Sequence, residues 1–187
     1  MKKGRLFIIS GPSGVGKGTV IDGVLADKDL NLFQCKTVTS RTQRGEKSDK
    51  QYIFVTATQF ERAVREKDML EYNFYNGNYY GTSEKLLYEL LEAGKNVILE
   101  VDVNGALEIK EQMPTAKAIF IYSTIENLEK RLRARGENTE EQVQERLMTA
   151  RKELGLKDRY DYQVENPEGM PQAAINKARE IITKNIS

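Results

Sequence analysis

Short apolar runs alternate along the chain with segments whose apolar residues recur at helical spacing. Each run is brief and rich in β-branched residues, which predicts three buried strands, at residues 5–10, 96–101 and 117–122. Residues 83–93 carry four leucines at helical spacing and end at Gly94, which predicts a helix. Runs that are apolar throughout suit parallel strands covered on both faces. The alternation therefore predicts an α/β protein with a mostly parallel central sheet.

Two stretches depart from this pattern. Residues 34–83 contain tyrosines, arginines and short alternating runs, which predict a small mixed-β insertion. The stretch from about 126 to 153 is charged and polar and predicts helices interrupted near Gly136. A hydroxyl residue followed three positions later by Glu or Gln is typical of a helix N-terminus. Such capping boxes begin at Thr58, Ser123 and Thr139.

Length and charge limit the classes of protein to be considered. A chain of 187 residues corresponds to one domain, and 39% hydrophobic with 30% charged residues is ordinary for a globular protein. Lys and Arg number 29 against 28 Asp and Glu, so the net charge of +1 argues against a general nucleic-acid or membrane-surface binder. No apolar run reaches the roughly 20 residues that span a bilayer, and the N-terminus lacks the pattern of a signal peptide. We therefore expect a cytoplasmic protein.

Histidine and cysteine are scarce in this chain, which limits the side chains available for catalysis and metal binding. The chain has no histidine, which excludes imidazole bases, Ser-His-Asp catalysis and histidine-ligated metals. Cys35 is the single cysteine, so no internal disulfide or thiolate zinc site can form. It lies in an apolar stretch, where a small buried side chain is expected. Catalysis would have to use carboxylates, Arg, Lys, hydroxyls and backbone amides.

A glycine-rich motif follows the first predicted strand. It matches G-x-x-x-x-G-K, and its residues are Gly11, Pro12, Ser13, Gly14, Val15, Gly16 and Lys17. A strand before and a helix after are the context of a phosphate-binding loop, whose amides and lysine hold nucleotide phosphates. Gly18 stands where the motif usually has Ser or Thr, and the hydroxyl comes at Thr19. The loop alone is compatible with a GTPase, an ATPase motor or a small-molecule kinase.

Polar residues of the insertion suggest what accepts the phosphate. Arg41 and Arg44, with neighbouring tyrosine hydroxyls, form a set able to clamp one phosphate monoester. Glu71 and Asp102 are carboxylates, which accept well from the N1–H and exocyclic amine of guanine.

The order of motifs GPSGVGKGT, SRTQRGE, GNYYGT, LEVDVNGA and RLRARG resembles that of bacterial-type guanylate kinases, from Arg5 to at least Asn166. The resemblance implies a P-loop nucleoside monophosphate kinase that transfers the ATP γ-phosphate reversibly to GMP and dGMP in purine nucleotide metabolism, giving ADP and GDP. It implies a three-layer P-loop NTPase core with a central parallel sheet at about 1–33, 84–124 and 154–187. It also implies a GMP-binding insertion at about 34–83 and a helical lid at about 125–153.

The resemblance also implies roles for individual residues. The ATP site would comprise residues 11–19 together with Arg131 and Asn166. The GMP phosphate would be held by Arg41, Arg44, Tyr52 and Tyr80, and the guanine by Thr37, Glu71, Thr82 and Asp102. Glu100 would lie beside the metal and phosphates, and the residues assigned to catalysis are Lys17, Arg41, Arg135 and Arg146. Mg²⁺ would be held mainly by ATP phosphates and water, in the neighbourhood of Thr19 and Glu100.

Other interpretations remain open at this stage. A guanylate-kinase-like interaction module would bind protein ligands without catalysis, but such modules lose phosphate-loop residues that are present here. An enzyme with another acceptor, such as a different nucleotide or a ribose bisphosphate, is the second alternative, and a nucleic-acid binder the third. We expect ATP and GMP or dGMP as partners, no nucleic acid or membrane, and a monomer or homodimer. Arg133 is expected to be a bystander, and Tyr72 and Tyr75 are expected to pack a small sheet.

Overall fold

The computed structural model describes residues 3–45, 49–75, 77–134, 136 and 138–186. Its strands are β1 (Leu6–Ser10), β2 (Leu32–Gln34), β3 (Thr37–Thr39), β4 (Tyr52–Phe54), β5 (Met69–Tyr75), β6 (Asn78–Ser83), β7 (Asn96–Glu100), β8 (Lys117–Tyr122) and β9 (Tyr162–Glu165). Its α-helices are α1 (Lys17–Leu25), α2 (Ala57–Arg65), α3 (Glu84–Glu92), α4 (Val103–Gln112), α5 (Ile125–Ala134), α6 (Glu140–Leu154) and α7 (Pro171–Ile186). The three predicted strands and the predicted helix over 83–93 are confirmed to within one residue at each end.

The strands form two separate sheets. The larger has the order β2-β7-β1-β8-β9, and every neighbouring pair in it is parallel. The smaller has the order β4-β3-β6-β5, with β3 and β4 parallel and the other pairs antiparallel. The predicted α/β class and the mixed-β insertion are therefore confirmed. Among the described residues, no helix is long and apolar enough to cross a membrane.

The larger sheet is covered by helices on both faces. Successive side chains of β1 alternate between them: Phe7 and Ile9 join a cluster with α1, α5, α6 and α7, whereas Leu6 and Ile8 join a cluster with α3 and α4. All five residues of β1 are buried, as a strand packed on both faces requires. The result is the expected three-layer arrangement.

The chain leaves the larger sheet just after β2. Gln34 pairs with Ile98 in that sheet, and the next residue, Cys35, still donates its N–H to the Ile98 carbonyl at 3.0 Å. The smaller sheet begins at Thr37, and the boundary of the insertion at about residue 34 stays a prediction. Cys35 is buried, as predicted, and burial raises the pKa of its thiol to about 11.

The three predicted capping boxes have different outcomes. Thr139 forms one with Gln142, as predicted. The box predicted at Thr58 is wrong by two residues, because Thr56 and Gln59 form it instead. The box predicted at Ser123 is also wrong: the hydroxyl of Thr124 accepts from the N–H of Asn127 at 3.3 Å, which places the start of α5 one residue later.

Helices α5 and α6, which cover the predicted lid, are held by more buried area than the polar sequence of this segment suggests. Their inward faces bury Leu128, Leu132, Val143, Leu147 and Ala150 in the same cluster as Phe7 and Ile9. Few apolar residues suffice because they recur at helical spacing on one face. This polar segment therefore has one apolar face, which packs against the larger sheet.

A stability prediction follows from the close packing of α1 on α7. A Cβ atom added at Gly23 would lie 2.5–2.7 Å from three side-chain atoms of Ile175. We expect Gly23→Ala to lower the free energy of unfolding by about 1–3 kcal/mol in urea denaturation, because the added methyl overpacks the interface. Ile175→Ala removes the clashing atoms, so the double variant should lose less than the sum of the two single losses. Strictly additive losses would contradict this account of the interface.

Candidate active site

The phosphate loop occupies residues 11–16, between β1 and α1. Gly14 and Gly16 have φ values of 81° and 94°, a region that favours glycine. A Cβ atom at Gly11 would lie 2.1 Å from the carbonyl oxygen of Ile121. Gly16 also caps α1 and offers no side-chain acceptor for the first N–H groups of that helix. These N–H groups therefore point from a positive helix end toward a site suited to an anion.

Lys17 reaches back over this loop. Its Nζ atom donates to the carbonyl oxygen of Gly11 at 2.7 Å and to that of Pro12 at 3.2 Å. The carboxyl group of Glu100, at the end of β7, lies within electrostatic range of Lys17. Burial raises the pKa of Glu100, and the charge of Lys17 opposes that rise. The ammonium group thus contacts the loop carbonyls and lies within electrostatic range of the strand-end carboxylate.

The carbonyl of Val15 fixes the orientation of the loop backbone. It accepts from the side-chain amide of Asn166 at 2.7 Å and from the guanidinium of Arg131 at 2.9 Å. Because the Val15–Gly16 peptide is trans, the N–H of Gly16 points away from these donors. Arg131 also binds the carbonyl oxygens of Asn166 and Pro167, at 3.0 and 3.2 Å. Both residues predicted for the ATP site therefore contact the phosphate loop.

Asn166 retains an unused polar atom at this position. Its side chain is 3% exposed, and its Oδ1 atom is buried without a hydrogen-bond partner among the described residues. Buried acceptors are normally satisfied, so a ligand with an N–H donor would fit here.

One face of the smaller sheet gathers the predicted acceptor residues. Strand pairing places Thr37 opposite both Tyr52 and Thr82, and Thr82 opposite Glu71. Tyr80 lies two residues before Thr82 on β6, and side chains two apart share a face. The rings of Tyr52 and Tyr80 are 6.3 Å apart, centroid to centroid.

Arg41 is buried just after β3 and is paired there. Its guanidinium donates to Asp49 at 2.9 Å and to the Thr42 carbonyl at 2.8 Å, and lies 4.8 Å from the centre of the Tyr52 ring. Hydrogen bonds from the Gly45 and Arg44 N–H groups and from Arg41 lower the pKa of Asp49 to about 2. The sequence analysis missed Asp49. The need of a buried arginine for a carboxylate could have indicated it.

Arg44 is placed differently from Arg41. Its side chain is exposed, and its backbone N–H forms the 2.8 Å bond to Asp49. Asp49 therefore holds together the backbone that carries both predicted phosphate-binding arginines.

Glu71 is the most perturbed carboxylate of this face. It is 8% exposed, and its Oε1 accepts from the Thr82 hydroxyl at 2.7 Å. Burial raises its pKa to about 7, with the negative charge of Asp102 adding to the effect. A Cβ atom at Gly105 would lie 3.0 Å from Oε2, so the absence of a side chain there lets α4 approach Glu71.

Asp102 follows β7 and lies within electrostatic range of Glu71, across the cleft between the two sheets. Its Oδ1 accepts from the Gly105 N–H at 2.9 Å and caps α4. Its Oδ2 accepts from the side-chain amide of Asn73, on β5, at 2.7 Å. The sequence analysis did not single out Asn73, although its two-residue spacing from Glu71 places both on one strand face.

The arginines of α5 and α6 divide into separate environments. Arg146 donates to the Tyr75 hydroxyl at 3.4 Å, across the cleft between α6 and β5. Tyr72 is 50% exposed and its ring packs against Phe60, as predicted. Tyr75 is 54% exposed and its hydroxyl contacts Arg146 instead, so the packing predicted for Tyr75 is wrong. Arg133 binds Glu129 and Glu140 on the surface, as a bystander would. Arg135 lies outside the described residues.

Glu153, near the end of α6, was also missed. Burial raises its pKa, Lys17 opposes that rise, and Asp102 adds to it. Glu153 therefore lies within electrostatic range of both the donor and acceptor sides.

The residues near Lys17 suit a magnesium ion that is bound mostly by nucleotide. Thr19 is exposed on the first turn of α1, and Glu100 is the carboxylate at the end of β7. No group of three or more His, Cys, Asp or Glu side chains in the described ranges could hold a metal ion. Magnesium commonly keeps waters and binds substrate phosphates with one or two protein carboxylates.

A phosphate loop with its lysine at the end of the larger sheet, together with a buried arginine and two carboxylates around the smaller sheet, is the arrangement of a P-loop phosphotransferase. Comparison with known proteins gives the family. The family model described as "Guanylate kinase" matches residues 3–184, so the chain belongs to the guanylate kinase family.

Individual relatives agree with this assignment. The guanylate kinase of Streptococcus thermophilus (strain CNRZ 1066) is 41% identical over 182 residues, covering 96% of this chain and 87% of that protein. That of Lactobacillus delbrueckii subsp. bulgaricus is 43% identical over 168 residues, covering 88% and 81%. The crystal structure of guanylate kinase from Anaplasma phagocytophilum matches with a TM-score of 0.77 and 28% identity, covering 99% and 87%.

The raised pKa of Glu71 predicts a pH-dependent stability. The native carboxyl keeps its proton up to about pH 7, whereas the unfolded one loses it near 4.5. Between these values the native state binds more protons, so this group lowers stability as the pH rises. The free energy of unfolding of Glu71→Gln minus that of the wild type should therefore increase by roughly 2–3 kcal/mol as the pH is raised from 4.5 to 7.5.

Urea denaturation across this pH range measures the effect. Glu89→Gln, at an exposed glutamate of α3, is the matched control for the loss of charge. A difference between Glu71→Gln and wild type that stays constant with pH would contradict the assignment.

Proposed function

We propose that this chain is a guanylate kinase that transfers the γ-phosphoryl group of ATP to GMP or dGMP, giving ADP and GDP or dGDP. The observation that carries the proposal is the buried Glu71, which accepts from Thr82 and lies within electrostatic range of Asp102, in the sheet whose strand β3 leads to the buried Arg41. Two carboxylates suit the N–H donors of guanine, and a buried arginine suits a phosphate. A cytoplasmic location, and a monomeric or dimeric state, stay predictions.

The donor side would bind the ATP phosphates through residues 11–19. The amides at the start of α1 and the Lys17 ammonium would surround the β- and γ-phosphates. Arg131 and Asn166 shape the loop through Val15, and the buried Oδ1 of Asn166 is suited to an amino group of adenine. Thr19 and Glu100 would hold Mg²⁺ together with the ATP phosphates, where the ion would supply neutralisation of the phosphate charge.

The acceptor side would divide between phosphate and base. Arg41, with Arg44, Tyr52 and Tyr80, would hold the GMP phosphate. Thr37 and Thr82 supply hydroxyls, and Glu71 and Asp102 supply carboxylates for the base. A bound guanine N–H would favour ionised Glu71, so binding would lower the pKa of this carboxyl.

The chemical step requires positioning and charge neutralisation more than proton transfer. A phosphate oxygen of GMP is already nucleophilic at neutral pH, so the absence of histidine does not hinder the reaction. Lys17 and the arginines would neutralise charge on the transferring group as it moves in line between the nucleotides. Arg146, and Arg135 in the same segment, would complete this set from the lid, where closure excludes water.

A coupled assay of ADP formation tests the proposed substrate. We expect turnover with GMP and dGMP, and none comparable with AMP, CMP, UMP or dTMP. Adenine presents an unprotonated N1 where Glu71 and Asp102 need a donor, and a mismatched buried polar edge costs several powers of ten. Turnover of AMP at the rate of GMP would overturn the assignment of the base site.

Arg146→Ala tests the lid. The Arg146 guanidinium donates to the Tyr75 hydroxyl through a long hydrogen bond of 3.4 Å. A transferring phosphoryl group would therefore be a stronger partner for it. We expect kcat to fall about a hundredfold to a thousandfold, with a change in the Kd of GMP below about threefold.

Arg133→Ala is the matched control, because it removes an arginine of α5 that binds Glu129 and Glu140 on the surface. Its kcat should stay within about twofold of wild type. Equal losses in the two variants would show that the Arg146 effect comes from the helices and not from the site.

A further inference from the structure

Strand β5 presents three side chains in succession to the cleft. Strand pairing sets Glu71 opposite Thr82 and Asn73 opposite Tyr80, so both side chains point to the face that carries the acceptor residues. Tyr75, two residues further, reaches Arg146 on this face. The intervening Tyr72 and Phe74 belong to the opposite face, where they contact the rings of Phe60 and Tyr79.

Asn73 connects the two sheets through a single short bond. Its side-chain amide lies 2.7 Å from Oδ2 of Asp102, which stands on the larger sheet's side of the cleft. An ionised carboxylate only accepts, so the atom facing it has to be the Nδ2 of Asn73. Hydrogen bonds to a charged group are among the stronger ones in proteins.

The two bonds to Asp102 hold both of its oxygen atoms. Oδ1 is fixed by the Gly105 N–H of α4, and Oδ2 by Asn73. Each carboxylate oxygen has a second lone pair, so a base can still be bound while the plane of the carboxylate stays fixed. Without Asn73, the cap to Gly105 alone would leave the side chain free to turn about that bond.

We propose that Asn73 is a positioning residue for the acceptor base: it orients the Asp102 carboxylate from across the cleft. This inference rests on the proposed role of Asp102 in binding the base. It adds a residue that contacts the substrate only through Asp102 and that ties the insertion to the larger sheet where the base binds.

Asn73→Ala tests the inference by steady-state kinetics and calorimetry. KM and Kd for GMP should rise about threefold to tenfold, the size expected for one hydrogen bond, while kcat and the KM of ATP stay within about twofold. Asn73→Asp keeps the shape but sets a second negative charge against Asp102, so its loss of GMP affinity should be larger.

A double-variant cycle shows whether Asn73 acts through Asp102. Asp102→Ser retains a helix-capping hydroxyl but is too short to meet Asn73. In the Asp102→Ser background, Asn73→Ala should change the Kd of GMP by less than about twofold. Tyr72→Phe, which removes a hydroxyl from the opposite face of β5, is the matched control and should match wild type.

The outcomes separate this inference from the proposed function. Loss of GMP affinity in Asp102→Ser but not in Asn73→Ala would overturn the role of Asn73 and leave the base site standing. Fully additive losses would also overturn it, because Asn73 would then act independently of Asp102. An Asp102→Ser variant with wild-type GMP affinity would instead contradict the proposed base site.

Discussion

Parallel pairing of the larger sheet is the constraint on which the site depends. Because β1, β7 and β8 run in one direction, their carboxyl ends meet at one edge. The phosphate loop follows β1, Glu100 ends β7, and the segment leading to α5 follows β8. Residues far apart in sequence, such as Lys17 and Glu100, are thereby brought within electrostatic range. The donor side is a consequence of strand direction before any individual contact is considered.

Local patterns predicted this edge well, because strand identity and the glycine motif are both short-range signals. The apolar run before Gly11 specified a buried strand, and strand, loop and lysine together specified an anion site. Predictions from local patterns failed where the role of a residue depends on a partner far away in the sequence. The Ser123 hydroxyl donates to the carbonyl oxygen of Asn166 at 2.9 Å, 43 residues further along the chain. Thr124 therefore caps α5 in place of Ser123. Asp49 was missed for a similar reason: its importance follows from the burial of Arg41.

The cations and the buried carboxyl group of the site have different kinds of partner. Lys17 donates to main-chain carbonyls, and Arg41 contacts a main-chain carbonyl, the Asp49 carboxylate and the rings of Tyr52 and Phe54. Glu71 instead is buried near the negative charge of Asp102, and both raise its pKa, whereas the hydrogen bond from the Thr82 hydroxyl opposes the rise. Cations held by preorganised partners remain charged and ready for phosphate. A buried carboxyl group whose ionised form is destabilised can bind a ligand that donates hydrogen bonds, because those bonds stabilise the ionised form and offset the cost of its desolvation.

The edge strand of the smaller sheet, β5, contacts several elements that line the cleft. Side chains of β5 face the cleft every second residue, about 7 Å apart along the strand, so a single strand spans several chemically distinct zones. Glu71 lies against α4, Asn73 meets Asp102, and Tyr75 meets Arg146 of α6. A rigid movement of the smaller sheet would displace all three contacts together, since they share one backbone. The contacts of β5 with α4, with Asp102 and with α6 are thus linked through the pleat of one strand.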